Sequence, residues 1–362
     1  MKKTTQLTWQ LLFAFSLAGL LIWFMFRDVP FSEFRKALTE VQAEWLIVML
    51  VPILGSFVTR VFRWGYIVRT AGPVTFRDMF SATQIGFLVN FTVPFRLGEV
   101  VRAVALTRLS KIPLTKSIAF SALDRVADLF GLIVVVAIAV RSLKIYDIPE
   151  FNLPASVSRL GSDIPVSVAL IRKVAFQTEL ALGGLVALLV LMYLKQDLVI
   201  RVMRWMAGLV SKRLAERAVG ALNGFAAGLH IFRSAGDMLK CVAWSLATWA
   251  FFVMGIYCLM RAFAFEGPWY AVFVMQALLA LAVSLPLTPG LIGQFQIPII
   301  ITLLWLTPNV SAPQALAASF VCYAINLILI IATGIVCVCI ERRRLFAFGW
   351  FTAKPQPDSS PG

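Results

Sequence analysis

His230 is the sole histidine in 362 residues, and charged residues make up only 14% of the chain. A site built on imidazoles, for a metal or for acid/base chemistry, is therefore not expected. The five cysteines, Cys241, Cys258, Cys322, Cys337 and Cys339, fall inside or at the end of apolar runs. They show neither the spacing of a zinc site nor that of a disulfide framework. The sequence also lacks a Walker phosphate loop, a glycine-rich strand-to-helix fingerprint and a serine nucleophile elbow, so nothing points to nucleotide hydrolysis or acyl-enzyme chemistry. No catalytic residue, metal or cofactor is expected.

Apolar residues are abundant: 60% of the chain is hydrophobic, 12% is aromatic and the mean hydropathy is +0.86. They gather in runs of about 17 to 25 residues, the length a helix needs to cross roughly 30 Å of hydrocarbon. The net charge of +15 lies in short segments between those runs. That distribution fits cytoplasmic loops beside anionic lipid and argues against nucleic acid. Lys2 and Lys3 precede the run Leu7 to Phe26, which is longer than a signal-peptide core and has no cleavage site after it, so it is expected to stay as a first helix.

The positive-inside rule then predicts a path. A helix at 7–26 leads outward, and one at 45–66 returns, its cytoplasmic exit marked by Arg60, Arg63, Arg69 and Arg77. The next run, Met79 to Pro94, is short and is followed by Arg96, Arg102, Arg108, Lys111 and Lys116. Basic flanks on both ends predict a re-entrant hairpin that breaks at Pro94. Helices at 117–140 (outward), 178–194 (inward), 241–260 (outward) and 314–340 (inward) follow, the last ending before "ERRR". Residues 141–177 form an outside loop, and 196–240 a basic, partly amphipathic segment that reads as an interfacial helix or a solvated linker. Between 268 and 306 a pair of apolar stretches is joined at "SLPLTPGLIGQF". The expected fold class is an all-α polytopic membrane protein, with about six to eight transmembrane helices and two re-entrant or broken helical hairpins. It forms one domain, 1–345, with both termini cytoplasmic and a disordered tail at 346–362.

Two breaks share a pattern: "TVPFRLG" (Thr92 to Gly98) and "SLPLTPG" (Ser284 to Gly290) each place Pro three residues before the one preceding Gly. Their flanking units, roughly 45–140 and 241–340, have opposite orientations, as in an inverted-topology repeat whose paired breaks mark a substrate site. Charges at membrane depth need a reason. Arg96, Glu99 and Arg102 follow the first break, and Asp124, Arg125 and Asp128 share one face of the next helix. They read either as a phosphate-binding cluster of guanidinium forks or as an ion-pair network that locks the hairpin. With Asn90, Pro94 and Gly98 they form the first half of a candidate lipid-headgroup site. Thr288, Pro289, Gly290, Gly293 and Gln294, in the second break, form the other half, through backbone amides freed at the break or as a plain kink.

The stretches "VPFRLGEVVRAVALTR", "ALDRVADLFGL" and "SLPLTPGLIGQFQ", in that order, resemble the flippase-like membrane domain that forms the membrane half of lysylphosphatidylglycerol synthase. In that family the second break usually reads Pro-Gly-Gly-x-Gly with a glutamate beyond it. Here Leu291 replaces the middle glycine and Gln296 takes the glutamate's place, while Asp124 stands where Glu is common. The resemblance implies two hairpins meeting near the bilayer centre and a protein of the bacterial inner membrane. It implies transport of an anionic or headgroup-modified lipid (phospholipid, polyprenyl-linked lipid or hopanoid) without ATP hydrolysis. Alternatives are a membrane-embedded lipid-modifying transferase and a non-transporting subunit of a cell-envelope lipid pathway. Membrane lipids are the expected partners, beside a second copy of the chain or a lipid-biosynthesis enzyme. Synthesis of a lysyl-lipid is expected to require another chain.

Overall fold

The computed structural model describes residues 16–27, 29–93, 97–145, 195–208, 235–284 and 288–346, with single positions at 173, 177, 180, 184, 191, 211 and 216. Among the described residues there is no strand. Pro94, Arg96, most of the expected crossing at 178–194 and nearly all of the expected tail lie outside them.

The helices are α1 (Ser16–Phe26), α2 (Phe31–Thr39), α3 (Ala43–Val68), α4 (Phe76–Thr92), α5 (Gly98–Ser110), α6 (Leu114–Ile145), α7 (Gln196–Gly208), α8 (Ala235–Ala262), α9 (Ala271–Ser284), α10 (Gln296–Leu306) and α11 (Ala312–Leu345), with a 3-10 turn at Pro289–Leu291. Among the described residues five stretches are long and apolar enough to cross a membrane: Ala43–Val68, Leu114–Leu143, Gly236–Ala262, Pro289–Leu306 and Ala312–Leu345. Their outer faces carry Ile47, Val51, Ile328 and Val336, all more than half exposed. Such surfaces suit lipid, not water.

Two helix pairs are shorter. α4 has 17 residues and α5 has 13, about 26 and 20 Å of helix at 1.5 Å per residue. Thr75 starts α4 by accepting the Asp78 N–H at 3.1 Å, a cap that satisfies one of the orphan donors of a helix start. The two arms pack closely because of Gly98. A Cβ there would lie 2.0 Å from the Gly86 carbonyl oxygen, and the Gly98 N–H donates to Asn90 Oδ1 at 2.8 Å. Glycine in "FRLG" is therefore a contact requirement. The second pair, α9 and α10, has 14 and 11 residues.

Packing between the halves is reciprocal. α3 lies along α8, α4 leans on α11, and α9 leans on α6. Each short pair thus rests on the long helix that closes the other half, and also on its own closing helix, α5 on α6 and α10 on α11. The breaks meet as well. A Cβ on Gly290 would lie 3.2 Å from the Phe91 carbonyl oxygen, and Tyr323 Oη donates to the Gly290 carbonyl at 2.7 Å.

Candidate functional site

Helix α3 is apolar for most of its length, yet it carries Arg60 and Arg63. Both residues lie inside the helix, which corrects the expectation that Arg60 and Arg63 mark its cytoplasmic exit. Arg63 is only 1% exposed, and its Nε and Nη2 each lie 2.9 Å from Asp124 Oδ1 while Nη1 lies 2.6 Å from Asp128 Oδ1. Asp124 and Asp128 are one turn apart on α6, so a single guanidinium spans both. The burial is sustained because the carboxylates neutralise it; alone, either charge would be prohibitively desolvated.

Arg102 of α5 closes the cluster from the hairpin. Its Nη1 donates to Asp124 Oδ2 at 2.7 Å, and its guanidinium lies 3.6 Å from the ring centre of Trp64. The indole is fixed in turn, its N–H donating to the Phe120 carbonyl at 3.4 Å. Glu99 does not pair with Arg102, three residues along. It forms an ion pair with Arg125 of α6, and Arg125 also lies 4.0 Å from Asp128. Trp249 of α8 donates to the Asp128 backbone carbonyl at 3.1 Å and faces its Oδ1 at 3.2 Å. Three helices of the first half and one of the second thus converge on two aspartates.

Asp128 opens onto a cavity of about 410 Å³ between the halves. Its polar lining comes from Ser56, Arg60, Asn90, Arg125, Asp128, Gln276, Ser284 and Asn326, and its walls are apolar and aromatic, with Ile53, Phe57, Phe87, Phe91, Leu132, Trp249, Phe252, Leu279 and Phe295 among them. Met49, Ile53, Ser56, Phe57 and Arg60 reach it from α3, spaced as one helical face. A smaller cavity of about 220 Å³ holds Arg69 and Asp237 but none of the charged cluster.

Of the sequence-derived candidates, Asn90, Arg125 and Asp128 line the large cavity. Arg102 and Asp124 are buried behind it, joined to it through Arg63 and Asp128. Gly98 and Glu99 belong to the hairpin contact and its ion pair. The second break is arranged differently. Gln294 Oε1 accepts from the Thr288 N–H at 3.0 Å, and Gln296 Oε1 accepts from the Gly293 N–H at 2.7 Å. Those two amides are already occupied by side chains of the break itself and are not offered to an anion. Thr288, Pro289, Gly290, Gly293 and Gln294 do not line the cavity, whereas Leu291 does. Leu291 has φ +63°, a left-handed conformation that costs a branched residue about 1 kcal/mol and suits the glycine that the resemblance places there.

Arg60, Arg63, Trp64 and Trp249 were not among the candidates. A signal for two of them existed: the run "VFRWGYIV" stays apolar after Arg63, so the arginines sit inside a span, three residues apart, as Asp124 and Asp128 sit four apart. No curated protein matches the chain. The model of the lysylphosphatidylglycerol synthase TM region matches residues 10–334, nearly the whole of the membrane-embedded structure with its two helical pairs and its buried charges, and the chain belongs to that family.

Proposed function

We propose that the chain is a multi-pass lipid transporter, moving an anionic or headgroup-modified lipid across or out of a bacterial inner membrane without hydrolysing a nucleotide. The observation that carries this reading is the large cavity, in which Arg60, Arg125 and Asp128 face aromatic and aliphatic walls. A volume of about 410 Å³ suits a headgroup, with the acyl chains left to the walls and the surrounding bilayer. Charge placed at membrane depth beside such walls is characteristic of a substrate path.

The reciprocal leaning of each short pair on the other half's long helix supports an inverted repeat, and the lengths of α4 and α5 support a re-entrant first hairpin. The described part of the second break, Thr288 to Gln296, is buried except at Ile292, which is half-buried, as irregular backbone at membrane depth requires. Arg342, Arg343 and Arg344 in the last turn of α11 favour a cytoplasmic C-terminal side. In this reading the residues bind and orient a headgroup, and none is assigned a catalytic step. The test is reconstitution into vesicles containing a trace of acyl-labelled phosphatidylglycerol, with an impermeant quencher added outside. Protein-dependent access of the inner-leaflet label to the quencher is expected; a protected fraction equal to that of protein-free vesicles would remove the transport assignment.

A further inference from the structure

The four arginines around the cavity are not equivalent. Arg63 holds two aspartates, Arg102 holds Asp124, and Arg125 holds Glu99. Among the described residues four guanidinium groups thus stand among three carboxylates, Glu99, Asp124 and Asp128, and Arg60 makes neither a hydrogen bond nor an ion pair. It lies instead over two rings, 5.0 Å from the centre of Phe87 and 5.5 Å from that of Phe252, and it lines the cavity. It also sits one turn before Arg63 on α3, about 4.5 Å further along the helix axis from the end at Val68. Two aromatic faces hold the guanidinium plane in place and stabilise its charge, but they accept none of its N–H groups. Five donors on a rigid fork are thereby presented to a space large enough for a ligand, next to one uncompensated positive charge.

We infer that Arg60 is the headgroup anchor of this cavity and that its ligand is the phosphodiester of a lipid bearing one net negative charge. The inference rests on the transporter reading and names the ligand chemistry at its site. A phosphodiester offers two acceptor oxygens in the geometry of the fork. A single negative charge brings the assembly of four arginines and three carboxylates to neutrality, whereas a zwitterionic headgroup leaves the excess unmatched.

The experiment is lipid-dependent thermal stabilisation of the full chain in detergent, titrated with phosphatidylglycerol, phosphatidylcholine or inorganic phosphate, for wild type, Arg60→Gln and Arg60→Lys. Wild type is expected to be stabilised by phosphatidylglycerol at concentrations at least tenfold below those needed with phosphatidylcholine, and not by inorganic phosphate. Arg60→Gln is expected to keep its lipid-free melting temperature, because no carboxylate loses a partner, and to need on the order of tenfold more phosphatidylglycerol, the loss of a charge-assisted bond. Should Arg60→Gln lower the lipid-free melting temperature, Arg60→Lys carries the test, with a several-fold loss expected because a point charge replaces the fork. Stabilisation of the Arg60 variants at wild-type phosphatidylglycerol concentrations overturns the anchor and leaves the transporter reading intact. Equal stabilisation of wild type by phosphatidylcholine overturns the charge argument, and equal stabilisation by inorganic phosphate makes the ligand a free anion. A wild type that no lipid stabilises removes the transporter reading and the anchor together.

Discussion

Arg63 and Asp124, 61 positions apart, meet at a buried crossing of α3 and α6 where two guanidinium nitrogens share one carboxylate oxygen at 2.9 Å. Asp124's other oxygen takes Arg102 at 2.7 Å, so one carboxylate ties the hairpin, α3 and α6 together. The three residues are each no more than 2% exposed.

Removal of Arg63 is expected to cost more than removal of Arg102. Arg63→Ala strips the principal partner from both Asp124 and Asp128, at about 3 to 5 kcal/mol for an uncompensated buried charge. After Arg102→Ala, Asp124 still has Arg63, and the loss is confined to one ion pair and the stacking on Trp64. Melting temperatures in one detergent give the order; equal shifts for the two variants would mean that Asp124 does not bridge them.

Close packing of the first hairpin makes a second prediction. Gly98→Ala places a methyl group 2.0 Å from the Gly86 carbonyl oxygen and 2.4 Å from Asn90 Oδ1. Both neighbours are held, so the arms must separate, at a cost of about 1 to 3 kcal/mol. Gly19→Ala, whose Cβ meets nothing within 4 Å, is the control and is expected to stay within about 0.5 kcal/mol of wild type. A Gly98→Ala melting temperature equal to that of the control would show that the arms are not packed in this way.

Much of this was legible from the sequence because membrane physics is restrictive. Apolar run length gave the long helices, a proline between basic flanks gave the first interrupted pair, and the prolines and glycines of "SLPLTPGLIGQF" gave the second. Asp124, Arg125 and Asp128 were legible as a unit because charges at that depth have no other reason to share a face. The register of α3 was not. Arg60 and Arg63 look like the start of a basic loop when Arg69 and Arg77 follow; the long-range pairing of Arg63 with Asp124 and Asp128 of α6 shows that Arg63 is buried, and the packing of α4 and α8 places Arg60 on the cavity. The second break was misleading for a related reason. Glycines and glutamines announce free backbone amides, but whether Gln294 and Gln296 turn inward to occupy them depends on χ angles that no spacing encodes.

At the far end of α11, Glu341 is fully buried yet its partners are not. It lies 2.6 Å from Arg77 and 3.1 Å from Arg344, which are 63% and 45% exposed, and Arg344 also reaches Asp78 at 2.6 Å. Glu341→Gln leaves both arginines able to turn to water, so the expected loss is about 1 kcal/mol, well below that of Arg63→Ala. A melting shift as large as that of Arg63→Ala would mean that the arginines are more enclosed than their exposure indicates.

The hairpin reading makes a demand on topology that side-chain chemistry cannot meet by accident. α4 starts after the loop at Ala71 and α5 ends at Ser110. If α4 and α5 enter and leave by one face, cysteines at those two positions face the same compartment; if either arm crosses fully, they face opposite ones. The native background helps, since Cys241, Cys258, Cys322 and Cys337 are buried and Cys339 is exposed, so replacing Cys339 by Ser leaves little to label. Ala71→Cys and Ser110→Cys, made singly in that background, are each expected to react with an impermeant maleimide only when the cytoplasmic face is opened. Protection of one and labelling of the other in sealed cells would put a complete crossing between them and end the comparison of α4 and α5 with α9 and α10.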